Sequence, residues 1–188
     1  MIPILVIVVP FQMSLPGQAN ASHQLLGQAT SMDGMSGSPA QPLQPLNPEE
    51  EALVRSLGRI MYVLPRAIDA DMVSEHQLPL TEYTALRNLS EAPGRQMRMN
   101  ELAAACQLSL SGMTRTIGRL ETQGLVERVR SEEDARGWNA VLTHAGFARL
   151  EQSWPSHLAS VRRRFLDHFE GIDLAQLARA FQGVGTVR

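Results

Sequence analysis

Between Asn100 and Gly146 the chain switches local structure so often that no long element fits there. Asn100 is a helix-cap residue ahead of a short helix over residues 101–106, and Ser109 and Ser111 are alternative caps for a second helix reaching about Gln123. Gly124 stops that helix, because glycine enters the left-handed conformation of a C′ position without steric cost. Residues 125–130 and 138–142 alternate with period two and read as strands, joined by a charged hairpin over residues 131–137. Thr143 then caps a further helix. Two short helices, a hairpin and a capped helix in this order describe a small helical unit with a β wing.

The flanks are helical. Asn47-Pro48-Glu49-Glu50 puts Asn at N-cap, Pro at N1 and Glu at N3, a nearly complete helix start. Leu53, Leu57, Ile60, Met61, Leu64 and Ile68 follow at helical spacing, and Pro65 inside that stripe is expected to kink or break the helix. Thr81 is expected to cap a second helix carrying Tyr83, Leu86 and Leu89 and ending near Pro93-Gly94. Beyond Thr143, Phe147, Leu150, Trp154, Leu158, Val161, Phe165 and Phe169 recur at three- and four-residue steps, predicting one long helix. Asp173 and Gln176 form a capping box for a last short helix with Leu174, Leu177 and Phe181. The fold class expected is mainly α with a small β wing: a winged helix-turn-helix between N- and C-terminal helices.

At 188 residues the chain holds one ordinary domain and an appendage. Residues 1–46 are that appendage. They open with an apolar run to Phe11 and continue rich in Gly, Ser, Gln and Pro, and they read as a disordered tail or a mis-chosen start with Met13, Met32 and Met35 downstream. Ala19-Asn20-Ala21 resembles a cleavage site, but no basic residue precedes the apolar run, which disfavours an export signal. No stretch approaches the roughly 20 apolar residues needed to span a bilayer, and a cytoplasmic location is expected. The lone Cys106 rules out an internal disulfide framework and a cysteine-based zinc finger. It faces inward beside Leu102 and Ala103, where a thiol behaves as a small hydrophobe rather than an oxidant sensor. His23, His76, His144, His157 and His168 show no metal-ligand spacing. There is no G-x-S-x-G, no glycine-rich phosphate loop and no nucleophile–base pair placed by spacing, so neither an enzyme nor a cofactor is expected.

The net charge is −2, so affinity for nucleic acid has to come from local placement of charge. All 17 basic residues are Arg, whose planar fork suits phosphate and guanine, although coding bias explains the missing Lys equally well. The helix over 109–123 has the placement required. Met113, Ile117 and Leu120 form its inner face, while Ser111, Thr114 and Arg115 cluster on the other side near its N-terminus. A major groove about 12 Å wide admits such a helix when the outward residues are small, polar or Arg. Amphipathic helices of this composition are common, and the weight comes from Arg136 near the hairpin tip, placed to enter the adjacent minor groove. Arg115 fits base reading and a phosphate clamp equally. Tyr62, Arg66, Tyr83 and Arg87 are candidates to line a pocket for an aromatic carboxylate, with ordinary core packing the simpler reading. The run Arg162–Arg164 reads as a solvated face.

The ordered series Glu101-Leu102-Ala103, Leu108-Ser109, Met113-Thr114-Arg115, Arg119-Leu120-Glu121, Gly124-Leu125-Val126, Arg128, Asp134-Ala135-Arg136, Leu142-Thr143 and Gly146 resembles the MarR family of transcriptional regulators. The resemblance covers roughly residues 50–180 and is densest over 100–146. It implies a homodimer with interlocking terminal helices (about 48–70 and 144–185) and a DNA-binding core over about 80–146, all within residues 47–188. It further implies a repressor on a palindromic double-stranded operator, released by a small aromatic or anionic effector held between the dimer helices and the winged domain. Residues expected at DNA are Ser109, Ser111, Thr114, Arg115, Arg119, Asp134 and Arg136, with Asp134 holding the wing or Arg119. Gln107 and Gly118 depart from the family pattern, at a turn that commonly has Gly and at a commonly acidic helix position, and the C-terminal helix looks short for a dimer element. The competing expectation is a degenerate winged helix that acts by protein association, which the retained Ser111, Thr114, Arg115 and Arg136 disfavour.

Overall fold

The computed structural model describes residues 44–130 and 137–185. Nearly all of the N-terminal tail, and the expected wing residues Asp134 and Arg136, lie outside them. Helix α1 runs Pro48–His76 and α2 Leu80–Glu91, followed by a 3-10 turn, Pro93–Arg95. Strand β1 (Gln96–Arg98), α3 (Met99–Ala105), α4 (Leu110–Thr122), β2 (Val126–Arg130) and β3 (Trp138–Leu142) make the winged unit. Helix α5 (His144–Arg164), a 3-10 turn (Leu166–Phe169) and α6 (Leu174–Gly185) complete it.

Caps written in local sequence form as expected. The Asn47 Oδ1 accepts from the backbone N–H groups of Glu49 and Glu50 at 3.0 and 2.9 Å, and the Glu50 carboxylate accepts from Asn47 N at 2.8 Å, a full capping box. Ser109 caps α4 by accepting from Gly112 N at 3.1 Å, and Thr143 caps α5 by accepting from Gly146 N at 3.0 Å. Asp173 Oδ1 likewise accepts from Ala175 N and Gln176 N at 2.9 and 3.1 Å. At the other end of α4, Gly124 (φ 71°) donates to Glu121 O and Leu125 to Leu120 O, both at 2.9 Å, the paired bonds of a Schellman stop.

Four local expectations are corrected. Thr81 lies one residue inside α2; its N-cap is Pro79, and Asp69 of α1 accepts from Leu80 N at 2.8 Å in place of a local cap. Asn100 lies inside α3, which begins at Met99 with Arg98 as its N-cap. The break allowed for at Pro65 is not found: α1 continues through that residue, which is itself buried. The long C-terminal helix ends at Arg164 rather than running to Phe169, because Phe165 leaves helical geometry (φ −137°, ψ −64°) and its ring meets Phe169 edge-on at 4.8 Å. Strand β1 was not expected. It pairs antiparallel with β3, Met97 opposite Ala140, and gives a three-stranded sheet in the order β1-β3-β2.

The core joins the inner faces of α2, α3 and α4 to the sheet and to α5, with Leu86, Leu89, Leu102, Met113, Ile117 and Leu150 essentially buried. The stripe on α1 divides. Ile68 is buried, whereas Leu53, Leu57, Ile60 and Met61 are exposed, as are Ile172, Leu174 and Phe181 around α6.

Candidate nucleic-acid interface

Helix α4 separates its two faces cleanly. Met113, Ile117 and Leu120 are 0% exposed, whereas Ser109, Ser111, Thr114 and Arg115 are all exposed. Ser109 Oγ lies 3.2 Å from Ser111 Oγ, and the Thr114 hydroxyl donates to Leu110 O at 2.8 Å. Arg115 has no hydrogen-bond or ion-pair partner among the described residues, leaving its guanidinium available. Leu110, missed in the sequence, is 55% exposed at the first position of α4. Its spacing from Met113 and Ile117 reads as inward in the sequence, so only its place directly after the serine cap could have signalled it, and such a side chain suits a thymine methyl group.

Arg119 is placed differently. Its Nε donates to Glu82 Oε1 at 2.6 Å, and the Glu82 side chain is only 3% exposed. The carboxylate found on Arg119 therefore belongs to α2, and this pair fixes the roll of α4 on the core. Arg128 of β2 binds the Glu121 carboxylate at 2.8 Å through Nε, tying the wing to the far end of α4. This contact draws the Glu121 carboxyl below its ordinary range and raises Arg128. At the base of the wing Arg130 stands opposite Trp138, its guanidinium 5.5 Å from the ring centre. Gly146 joins these parts: a Cβ there would collide with the Leu125 carbonyl oxygen and meet Leu142 Cδ1 at 2.8 Å. Thr143 Oγ1 donates to Gly124 O at 2.8 Å in the same joint.

The four expected effector-lining residues divide between two environments. Tyr62 and Arg66 lie on the exposed side of α1, where the guanidinium stacks on the ring at 3.4 Å. Tyr83 and Arg87 are buried in the seam between α2 and α5, where the Tyr83 ring stacks on His157 at 4.4 Å. Burial, and then the charge of Arg87, pushes His157 down to about 4, so it is neutral at pH 7. The Tyr83 hydroxyl and His157 Nε2 have no hydrogen-bond partner among the described residues. Cys106 is buried as expected, and burial pushes its thiol up to about 12, although Arg87 opposes that shift and Asn88 donates to Sγ at 3.6 Å. A thiol held protonated in this way is a poor nucleophile toward oxidants. Arg163 and Arg164 are not a simple solvated face, because both converge on Asp71 of α1 together with Ser160. Among the described residues no group of His, Cys, Asp and Glu is arranged to hold a metal, and no helix is long and apolar enough to cross a membrane.

A helix with a capped, polar, outward N-terminal half, braced by a second short helix and followed by an antiparallel wing, defines a winged helix-turn-helix DNA-binding protein. Comparison with known proteins agrees. A MarR family model matches residues 76–137. AbsC, a MarR family transcriptional regulator from Streptomyces coelicolor, is 34% identical over 76% of this chain and 95% of its own, with a TM-score of 0.67. Sco3205, a MarR family regulator from the same organism solved in complex with DNA, is 29% identical over 76% of this chain and 89% of its own, TM-score 0.68. CouR from Rhodococcus jostii RHA1, solved with p-coumaroyl-CoA, shares the fold at 21% identity over 72% of this chain and 93% of its own, TM-score 0.59. No curated protein matches the sequence. The chain belongs to the MarR family of transcriptional regulators, which are not enzymes.

Proposed function

We propose that this protein is a homodimeric, effector-responsive repressor that binds a palindromic double-stranded operator, laying α4 of each subunit in a major groove. The observation that carries this reading is the unpartnered Arg115 beside exposed Ser111 and Thr114 at the capped N-terminus of α4. The relative solved with DNA, Sco3205, supports duplex DNA as the partner. In this reading Ser109 and Ser111 contact phosphate, Thr114 and Arg115 face base edges, and Arg136 enters the minor groove beside the wing. Arg119 acts by orienting α4 through Glu82, and Asp134 steadies the wing. The dimer is supported by the apolar side chains left exposed on α1 and around α6, which need cover from water. Two α4 helices related by a two-fold axis match half-sites about one helical turn apart. Effector control is supported by a cleft of about 440 Å³ between α1 and the end of α5.

The test is a gel-shift titration with the DNA upstream of the protein's own gene, repeated across salt concentrations. Binding should weaken steeply with salt, and Arg115→Ala should relax base choice at one position of each half-site. Arg136→Ala should weaken matched and scrambled DNA alike. Absence of salt-sensitive binding at about 50 mM salt would instead support a winged helix used for protein association.

A further inference from the structure

One side chain of α4 does nothing for the fold. Leu110 opens the helix directly after the Ser109 cap and is 55% exposed, although Met113 and Ile117, three and seven residues on, are completely buried. The inner stripe of α4 thus runs past the edge of the core, which the helix meets through α2, α3 and β2. The exposed apolar side chains assigned above to a second copy lie elsewhere, on α1 and around α6. Leu110 stands instead among exposed Ser109, Ser111, Thr114 and Arg115, the residues that the operator-binding reading turns toward DNA.

Its neighbour one helical turn on completes a pair. Thr114 is four residues further along the same side of the helix, a spacing that sets Cβ atoms about 5–6 Å apart. The Thr114 hydroxyl donates to Leu110 O at 2.8 Å. A hydroxyl has one hydrogen, and with that hydrogen engaged Thr114 offers a base only an acceptor and its γ-methyl. The base edges in a major groove are hydrogen-bonding groups except at thymine, whose C5-methyl is apolar. A leucine carried into that groove loses its water in any event. Only against a thymine methyl does it gain a matching apolar contact.

We propose that Leu110 and Thr114 form an apolar clasp on the C5-methyl group of a thymine in each half-site, which makes Leu110 a specificity-determining residue beside Arg115. The inference rests on the operator-binding reading above and adds a base that each half-site holds. Arg115 acts independently of the clasp, because a guanidinium takes hydrogen-bond acceptors and is indifferent to a methyl group.

The experiment uses the DNA upstream of the protein's own gene, amplified once with thymidine triphosphate and once with deoxyuridine triphosphate. The two duplexes then differ in their C5-methyl groups and in no hydrogen-bonding group of a base edge. The full chain is titrated against both by fluorescence anisotropy. Loss of the methyl contact should weaken binding by the parent protein about fourfold per half-site, and so about fifteenfold for a dimer on two. Leu110→Ala should bind the thymine duplex more weakly and separate the two duplexes by less than about twofold. Leu110 is outside the core, so its truncation leaves the winged unit folded. Thr114→Val, which keeps methyl groups at that place, should preserve the ratio, and Thr114→Ser should reduce it. Arg115→Ala should weaken both duplexes and leave their ratio intact, a separation that a general loss of affinity does not produce. Equal affinity of the parent protein for the two duplexes would overturn the proposal while leaving operator binding in place. So would a ratio unchanged in Leu110→Ala, because the effect of uracil then lies in the DNA itself. Binding to neither duplex would remove the operator reading and the clasp with it.

Discussion

Single residues set the geometry of α4 before any ligand or DNA is involved. Gln107 ends α3 in the left-handed region (φ 52°), with its N–H on Ala104 O and that of Leu108 on Ala103 O. A side chain is strained there, so Gln107→Gly should raise stability by about 0.5–1 kcal/mol, read as a higher urea midpoint with an unchanged slope. A lower midpoint would contradict that account of the turn. Arg119 is the complementary case. Removing it leaves the Glu82 carboxylate buried without its 2.6 Å partner, and Arg119→Ala should cost about 2–4 kcal/mol in unfolding free energy. Replacing both by apolar residues, Glu82→Leu with Arg119→Met, should recover much of that loss. If the single variant is as stable as the parent, the pair does not hold α4 in place.

At the scale of elements, what the sequence made legible was whatever it encodes within a few residues. Asn47, Ser109, Gly124 and Thr143 act on backbone groups two or three residues away, so local spacing identified them. Thr81 failed as a cap because the partner that matters for α2 is Asp69, eleven residues upstream on another helix, while α3 starts on Arg98 with no side-chain cap at all. Strand β1 has three residues and exists through its pairing with β3, a long-range contact with no alternation to announce it. The polar face of α4 was legible because helical period alone assigns it, whereas Glu82 and Asp71 as arginine partners were not, being tertiary choices. Gly146 carries a prediction at this scale. It lets α5 approach the Leu125 carbonyl and supplies the N–H that Thr143 caps, so Gly146→Ala should destabilise the winged unit by about 1–3 kcal/mol or more. Thermal unfolding monitored by circular dichroism tests it, and an unchanged midpoint would mean that the joint relaxes freely.

For the whole molecule, the seam between α2 and α5 couples stability to pH. His157 titrates near 4 in the folded chain because burial, then Arg87, disfavours its charge, whereas an unfolded histidine titrates near 6.5. The unfolded chain therefore takes up the proton first as pH falls. Stability is full above about 6.5 and declines by about 2–3 kcal/mol on reaching pH 4.5. Urea midpoints at pH 7.5 and 4.5 should show this drop, and His157→Gln should show a smaller one; equal drops would move the effect elsewhere. Asp71, held well below its usual range chiefly by Arg164, adds a loss of the same sign only at more acidic pH. The central claim, that two copies present α4 to a palindrome, is tested most directly by fluorescence anisotropy on duplexes carrying one or two operator half-sites. The account predicts that the two-site duplex binds far more tightly than the one-site duplex, at two chains per duplex, and that Arg115→Ala relaxes the base preference at one position of each half-site. Equal affinity for one and two half-sites, with Arg115→Ala indistinguishable from the parent protein on both, would contradict it.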